Sequence, residues 1–306
     1  MTEYLIGAGG WWYFNIPGKD ALEAYSEVFN FVEVNSTFYF IPPKEMVKSW
    51  KRRVPPGFDF SVRLNRIATH KFGMEPTSEV FRIFDYTKEI CRILGFEIIV
   101  VETSKDMRYD HQKVCAIKDL LSSLTLEQTR IAWEIRSEKE LPKTFINLMT
   151  EYNIIHCVDL SRKEPAYGSD QMYTRLFGKG KHNIYQFSDE ELREIDNKIT
   201  RGVHKKVRVS FHGIRMYKDA SRYKFFKEGK TFPPVTKYTG LLSLRSVLEE
   251  DAKFPLTKQE LVESQGWKII DITNEKRCHT TDLLKQLPER IYLDVDEVIR
   301  EIRYKL

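Results

Sequence analysis

Apolar residues along the first two thirds of the chain gather in short runs rich in valine, isoleucine and aromatic side chains, at residues 4–7, 31–35, 58–62, 97–102, 130–134, 154–159, 171–177 and 206–211. Runs of this length and make-up read as strands, because β-branched and aromatic side chains suit a pleated backbone. Most are separated by stretches in which apolar positions recur every three or four residues: DALEAYSEVF, PKEMVKSWKRR, SEVFRIFDYTKEICRIL, QKVCAIKDLLSSL, EKELPKTFINLMTEY and SDEELREIDNKIT. That spacing lines one face of an α-helix. Only SRKEPAYGSD, after the sixth run, is too short and polar to form one. Alternating strands and helices imply parallel strands joined by right-handed crossovers. Eight repeats favour closure into a TIM-like (β/α) barrel of the α/β class over an open sheet. No GxGxxG or GxxxxGK[ST] motif follows the first run, which argues against a dinucleotide or P-loop fold.

After Pro233 and Pro234 the texture changes to the helical segments GLLSLRSVLEED, TKQELVESQG, TTDLLKQL and DVDEVIREIRYKL, with WKIIDI the one strand-like stretch. The expected division is a barrel over 1–230 and a small helical domain over 231–306.

In a parallel barrel all strand C-termini share one rim, so polar residues just past each run converge. The rim expected here collects Gly9, Gly10 and Trp11 after the first strand, Glu33 and Asn35 at the second, Arg63 after the third and Glu102 after the fourth. Glu134 and Arg136 at the fifth, Asp159 at the sixth, Arg175 on the seventh and His212 after the eighth complete it. Charges inside apolar runs, such as Glu33 in FVEVN, Glu134 in AWEIR and Arg175 in YTRLF, are costly to bury unless paired or used. They form either a self-neutralising structural network or a site.

Two chemistries suit a site of this make-up. In one, Arg63, Arg136 and Arg175 hold a phosphate or carboxylate through forked hydrogen bonds, while Glu33 or Glu134 and His70 move protons. In the other, Glu134, Asp159, His70 and His212 ligate one or two divalent ions, Mg²⁺ or Mn²⁺, that activate water, although their spacing contains no compact metal motif. The turn Gly7-Ala8-Gly9-Gly10 either lets backbone N–H groups approach an anion or makes room for Trp11 and Trp12. Trp11, Tyr13, Phe38 and Tyr39 either stack a base or sugar over the mouth or pack as core.

Composition adds three constraints. With 42% apolar and 30% charged residues the chain is an ordinary globular protein. Its net charge of +5 is uneven: residues 201–230 hold ten Lys/Arg against two acids, and interleave Tyr217, Tyr223, Phe225 and Phe226. That is either a nucleic-acid-binding stretch or a solvated helix face with its aromatics turned inward. Cys91, Cys115, Cys157 and Cys278 form no CxxC pair, and the opening MTEYLIGAGGWWYF lacks a signal-peptide pattern. Reduced thiols, a cytoplasmic location and no membrane span are expected, and no feature sets an oligomeric state.

The segments GAGGWWY, FVEVNSTFYFIP, FDFSVRLNRIATH, AWEIR and YTRLFG, in this order, resemble the YecE-like family, also called domain of unknown function 72. Its pattern runs GTSGW, VEINSTFY, F-x-V-K-x-x-x-x-ITH, EFR and LRLHG. The resemblance spans residues 3–225 and implies a TIM-like barrel without implying an activity. It points to Gly10, Trp11, Glu33, Asn35, Thr37, Tyr39, His70, Glu134, Arg136, Arg175 and Gly178 as shared positions. Arg63 stands where lysine is usual, Ala8 and Gly9 where Thr-Ser is usual, and Phe177 where histidine is usual. A Schiff base at position 63 is thereby disfavoured, because a guanidinium stays protonated. The tail segments FPLTKQELVES and LLKQLPERIYLDVDEVIREI resemble a second, small helical family, which implies an interaction module or one that works near nucleic acid.

The leading expectation is a hydrolase of phosphate-containing substrates, in its sharpest form a metal-dependent nuclease. Catalysis would rest on Glu33, His70, Glu134 and Asp159, and binding on Gly10, Trp11, Asn35, Tyr39, Arg63, Arg136, Arg175 and His212. The alternatives are a non-catalytic nucleic-acid-binding or scaffold protein, working through 201–230 and the tail, and a sugar or sugar-phosphate enzyme.

Overall fold

The computed structural model describes residues 2–137 and 140–303. Eight parallel strands carry the fold: β1 (Glu3–Ala8), β2 (Phe31–Val34), β3 (Asp59–Arg63), β4 (Ile98–Thr103), β5 (Arg130–Ile135), β6 (Ile155–Cys157), β7 (Gln171–Leu176) and β8 (Lys206–Phe211). Their hydrogen-bonded order is β6-β5-β4-β3-β2-β1-β8-β7. The remaining gap is bridged where Val158 pairs in parallel with Thr174, whose Oγ1 donates to the Val158 carbonyl at 2.8 Å. The sheet is therefore a nearly closed TIM-type barrel.

The connecting helices are α1 (Ala21–Val28), α2 (Lys44–Arg52), α3 (Ser78–Leu94), α4 (His111–Ser123), α5 (Lys143–Glu151) and, between β7 and β8, α6 (Asp189–Arg201). The sequence sets several of their ends. Asp20, Thr77 and Asp110 accept backbone N–H groups at the starts of α1, α3 and α4, and Gly95, at φ 72°, stops α3 in the left-handed region. The helix expected over 138–152 begins at 138 and 139, outside the described residues; the observed one starts at Lys143, just after Pro142. As expected, SRKEPAYGSD forms no helix.

Alternate residues of each strand face inward. Leu5, Phe31, Ile98, Val100, Ala132, Ile155, Cys157 and Tyr173 fill the middle of the barrel. At the N-terminal end the same parity turns Arg208 inward. It is 1% exposed, and it donates to both oxygens of Asp59 (3.0 and 2.9 Å) and to Gln171 (2.9 Å). At the other end it gathers the charged cluster described below. Gly7 is required for packing, since a Cβ there would lie 1.9 Å from the Phe31 carbonyl oxygen and 2.6 Å from the Tyr25 hydroxyl.

Contacts divide the chain into Met1–Leu176 with Asn197–His212, and Phe177–Asp196 with Gly213–Leu306. The boundary is thus discontinuous, unlike the single cut expected at 230. The reason lies in α7 (Met216–Gly229), whose buried Asp219, Arg222 and Tyr223 take partners from 187–196. Arg222 donates to Asp189 (2.6 Å) and to the Phe187 carbonyl (2.7 Å), and Tyr223 to Asp196 (2.8 Å).

The second unit continues with α8 (Gly240–Glu249), α9 (Lys258–Gln265), α10 (Thr281–Leu284) and α11 (Val295–Arg303) around a core that includes Leu244, Leu248, Leu261, Ile270 and Leu284. Two small antiparallel pairs accompany them, β9 (Leu256–Thr257) with β12 (Ile291–Tyr292) and β10 (Ile269–Asp271) with β11 (Arg277–His279). The sequence pattern suggested a strand only near WKIIDI, because two- and three-residue strands carry no readable period. Among the described residues no helix is long and apolar enough to cross a membrane.

Candidate functional site at the barrel mouth

Three arginines and three glutamates meet at the C-terminal ends of the barrel strands. Arg175, 1% exposed, is the hub. Its Nη2 lies 3.0 Å from Glu33 Oε1, its Nε donates to Glu33 Oε2 at 3.2 Å, and its Nη1 donates to Glu102 Oε2 at 2.6 Å and to Glu134. Glu102 Oε2 also accepts Arg63 Nη2 (2.6 Å) and lies 3.1 Å from Arg136 Nη2. Arg136 Nε reaches Glu134 Oε1 at 3.1 Å. Below the charges, Tyr173 donates to Glu33 Oε2 (2.7 Å) and is itself joined to Ser61 (2.7 Å).

Loop residues fix the upper edge. Asn35 takes Arg63 Nη1 on its Oδ1 (3.0 Å) and donates its Nδ2 to the Gly9 carbonyl (2.7 Å), joining the β1 and β2 ends. Thr37 donates to the Val34 and Arg63 carbonyls, and Asn65 donates to the Thr37 carbonyl. The Arg63 guanidinium lies over the Phe38 ring, 3.9 Å from its centroid. A short π-helical turn, Ile67–Lys71, presents His70, which meets the edge of Phe38 and pairs its Nδ1 with Thr69 Oγ1 at 2.8 Å. His212 packs against Gly9 so closely that a Cβ there would come within 2.4 Å of its ring.

Electrostatics make the network self-consistent. Burial acts to raise the Glu33 carboxyl, but Arg175, aided by His212 and Arg63, holds it far below the usual carboxylate range. Burial likewise opposes the lowering of Glu102, and Arg175, Arg63 and Arg136 outweigh it. Burial lowers His212, and Glu33 pulls the other way. His70 is also lowered, by burial first and then by Arg63, Arg136 and Arg66, with Glu102 opposing. Three guanidiniums and three carboxylates thus balance, and openness increases outward: Glu33 is fully buried, the Glu134 side chain is 12% exposed and that of Arg136 is 32% exposed.

The rim expected from sequence largely assembles: Gly9, Glu33, Asn35, Arg63, Glu102, Glu134, Arg136, Arg175 and His212 lie in one connected cluster, with His70 at its edge. Glu102, not singled out for a role from sequence, is the carboxylate shared by all three arginines, and Tyr173 and Ser61 were missed. Their signal is parity, since Tyr173 and Ser61 lie two residues before Arg175 and Arg63. Trp11 is buried against Trp50, while Tyr39 is exposed. Gly10 sits at φ 108°, a turn role. Glu33 has no solvent face, so its place in the geometry is to hold Arg175 and His212, in contrast to the acid–base role expected. Asp159 caps a turn: its Oδ1 accepts the Ser161 N–H (2.9 Å) and hydroxyl (2.6 Å).

The metal-binding set expected from Glu134, Asp159, His70 and His212 is not assembled. Among the described residues no group of three or more His, Cys, Asp or Glu side chains is placed to hold a metal ion. Glu134 gives one oxygen to Arg136 and the other to Arg175, so the donors do not fit Mg²⁺ or Mn²⁺ as arranged. The basic stretch 201–230 is also less of a surface than its count suggests. Arg208 is paired at the base of the barrel, and in the second unit Arg222 and Lys227 are paired with Asp189 and Asp196.

The sequence profile of the proteins of unknown function called DUF72 matches residues 5–224. The chain belongs to the DUF72 family. Two crystal structures of DUF72 proteins show the same barrel. The one from Enterococcus faecalis V583 is 16% identical, with a TM-score of 0.59, covering 74% of this chain and 98% of its own. The one from Thermotoga maritima MSB8 is 20% identical, also at 0.59, covering 74% and 99%. No curated protein matches the chain. Membership accounts for the barrel and for the order of its rim motifs, and leaves the chemistry of this DUF72 mouth to its geometry.

Proposed function

We propose that the chain is a hydrolase acting at the barrel mouth on a phosphate-containing substrate, in its sharper form a phosphodiesterase or nuclease of the cytoplasm. The observation that supports this reading is the convergence of Arg63, Arg136 and His70 at the one end of the barrel where the charged network opens. Arg136, with a third of its side chain exposed, receives the phosphate, and Glu134 orients it. His70 takes a proton from the attacking water as the new phosphorus–oxygen bond forms, and the ester bond breaks with the leaving oxygen departing as an anion that solvent protonates; the lowering of His70 acts in the direction a general base needs. The buried Arg63 Nε has no hydrogen-bond partner among the described residues, a donor left over beside the opening of the network.

The test is hydrolysis of bis-p-nitrophenyl phosphate and of labelled DNA and RNA. Turnover with an acid limb below the ordinary histidine value, removed in His70→Asn, supports the reading; no release from any of these substrates overturns it. A second reading draws on the self-neutralised network itself, which suits a non-catalytic nucleic-acid-binding scaffold. It requires steeply salt-dependent binding without turnover.

A further inference from the structure

The β1–α1 and β2–α2 loops carry large rings that the core does not absorb. Trp12 is 69% exposed, Tyr13 85% and Tyr39 65%. Trp12 and Tyr13 occupy the tip of a turn closed by the Phe14 N–H donating to the Trp11 carbonyl at 2.8 Å. On either side of the tip, Trp11 packs edge-on against Trp50 (5.5 Å) and Phe14 packs against Tyr25 and Phe29, so the neighbours of the exposed rings are anchored. Trp12 lies nearly parallel to Trp11, at 15°. Tyr39 is held by its N–H to the Ser36 carbonyl (3.0 Å) and by the edge of Phe38 (5.1 Å). Phe38 is also the ring beneath Arg63 and beside His70, so Tyr39 stands one ring away from the charged cluster. The Asn35–Gly9 hydrogen bond ties the two loops together.

Resting on the reading that the mouth handles a phosphate-containing substrate, we propose that this substrate is single-stranded nucleic acid whose unpaired bases stack on Trp12 and Tyr39. Rigid exposed rings lose little entropy on binding, and every base offers a π-face to them. Charge favours a polyanion over a neutral sugar. Arg66 and Lys71, which flank His70 in the next rim loop, are exposed and have no ion-pair partner among the described residues. They suit the phosphates between stacked bases.

The experiment compares binding of a labelled oligothymidylate with that of an abasic strand of equal length, by fluorescence anisotropy on the full chain. The wild type is expected to prefer the strand with bases. The double variant Trp12→Ala/Tyr39→Ala is expected to bind it at least about fivefold more weakly, with abasic binding and thermal midpoint unchanged. Arg66→Ala/Lys71→Ala should weaken both strands. Equal binding of the two strands, binding of neither, or unaltered affinity in the aromatic double variant overturns the inference. The expected binding pattern without cleavage would remove the hydrolase and keep the stacking. Normal hydrolysis of oligonucleotides by the aromatic double variant, with unaltered affinity, would do the reverse.

Discussion

Arg175 meets three carboxylates while almost fully buried, and each of its partners is satisfied mainly by arginine. Such an arrangement is stable only when complete, because removing one member leaves its partner as an uncompensated buried charge. Glu33→Gln is therefore expected to cost about 3–5 kcal/mol, measured by urea unfolding; a cost under about 1 kcal/mol would mean that Arg175 does not depend on this pair. The network also sets an acid limit. Glu33 and Glu102 are depressed in the folded state, so their contribution is complete above the ordinary carboxylate range and is lost as pH falls through and below it. His156, lowered to about 4 by burial, adds a loss that begins at higher pH, between the ordinary histidine value and 4. Unfolding midpoints should fall steadily as pH drops from 7 to 4, and a flat profile would contradict this.

Much of this cluster could be read in the sequence, because a Glu or Arg inside FVEVN, AWEIR or YTRLF has no cheap reason to be there. The same signal at Arg208 marks a pair at the opposite end of the barrel, so charge in a strand shows burial with a partner, and only its position along the strand shows which end. Tyr173 and Ser61 escaped notice because nothing about a tyrosine or serine in a strand is anomalous.

At the scale of elements, the mouth depends on how closely β1, β2 and β8 end together. Gly9 has His212 and Asn35 pressed against it, and a methyl group there would push both away from their partners. Gly9→Ala should lower stability by about 1–3 kcal/mol and shift the His212 imidazole resonances in NMR; unchanged resonances would show that the two side chains do not pack there. The eight barrel strands were legible because buried parallel strands are near-continuous apolar runs between helices. The two- and three-residue pairs β9–β12 and β10–β11 were not, since their pairing depends on partners 34 to 36 residues away or on a turn within the pair.

At the scale of the whole molecule, the discontinuous second unit was hidden from composition. The fate of α7 is decided by Asp189 and Asp196, far upstream, and by Arg277, which shares Asp189 with Arg222. A fragment ending at 230 loses Arg277 and the apolar core of the second unit. It should be cut by protease within 177–196 and 213–230 under conditions that leave the full chain intact; equal resistance would restore a boundary at 230.

Arg136 and Arg208 provide the most direct test of the central claim, that the charged mouth is a working site and not only a structural network. Arg136→Ala and Arg208→Met each remove one buried or half-buried guanidinium from an ion pair at opposite ends of the same barrel. Phosphodiester hydrolysis per folded molecule should fall at least about a hundredfold in Arg136→Ala, with its fold retained by circular dichroism, and stay at the wild-type rate in Arg208→Met. Wild-type turnover in Arg136→Ala, or an equal loss in both variants, would contradict the account.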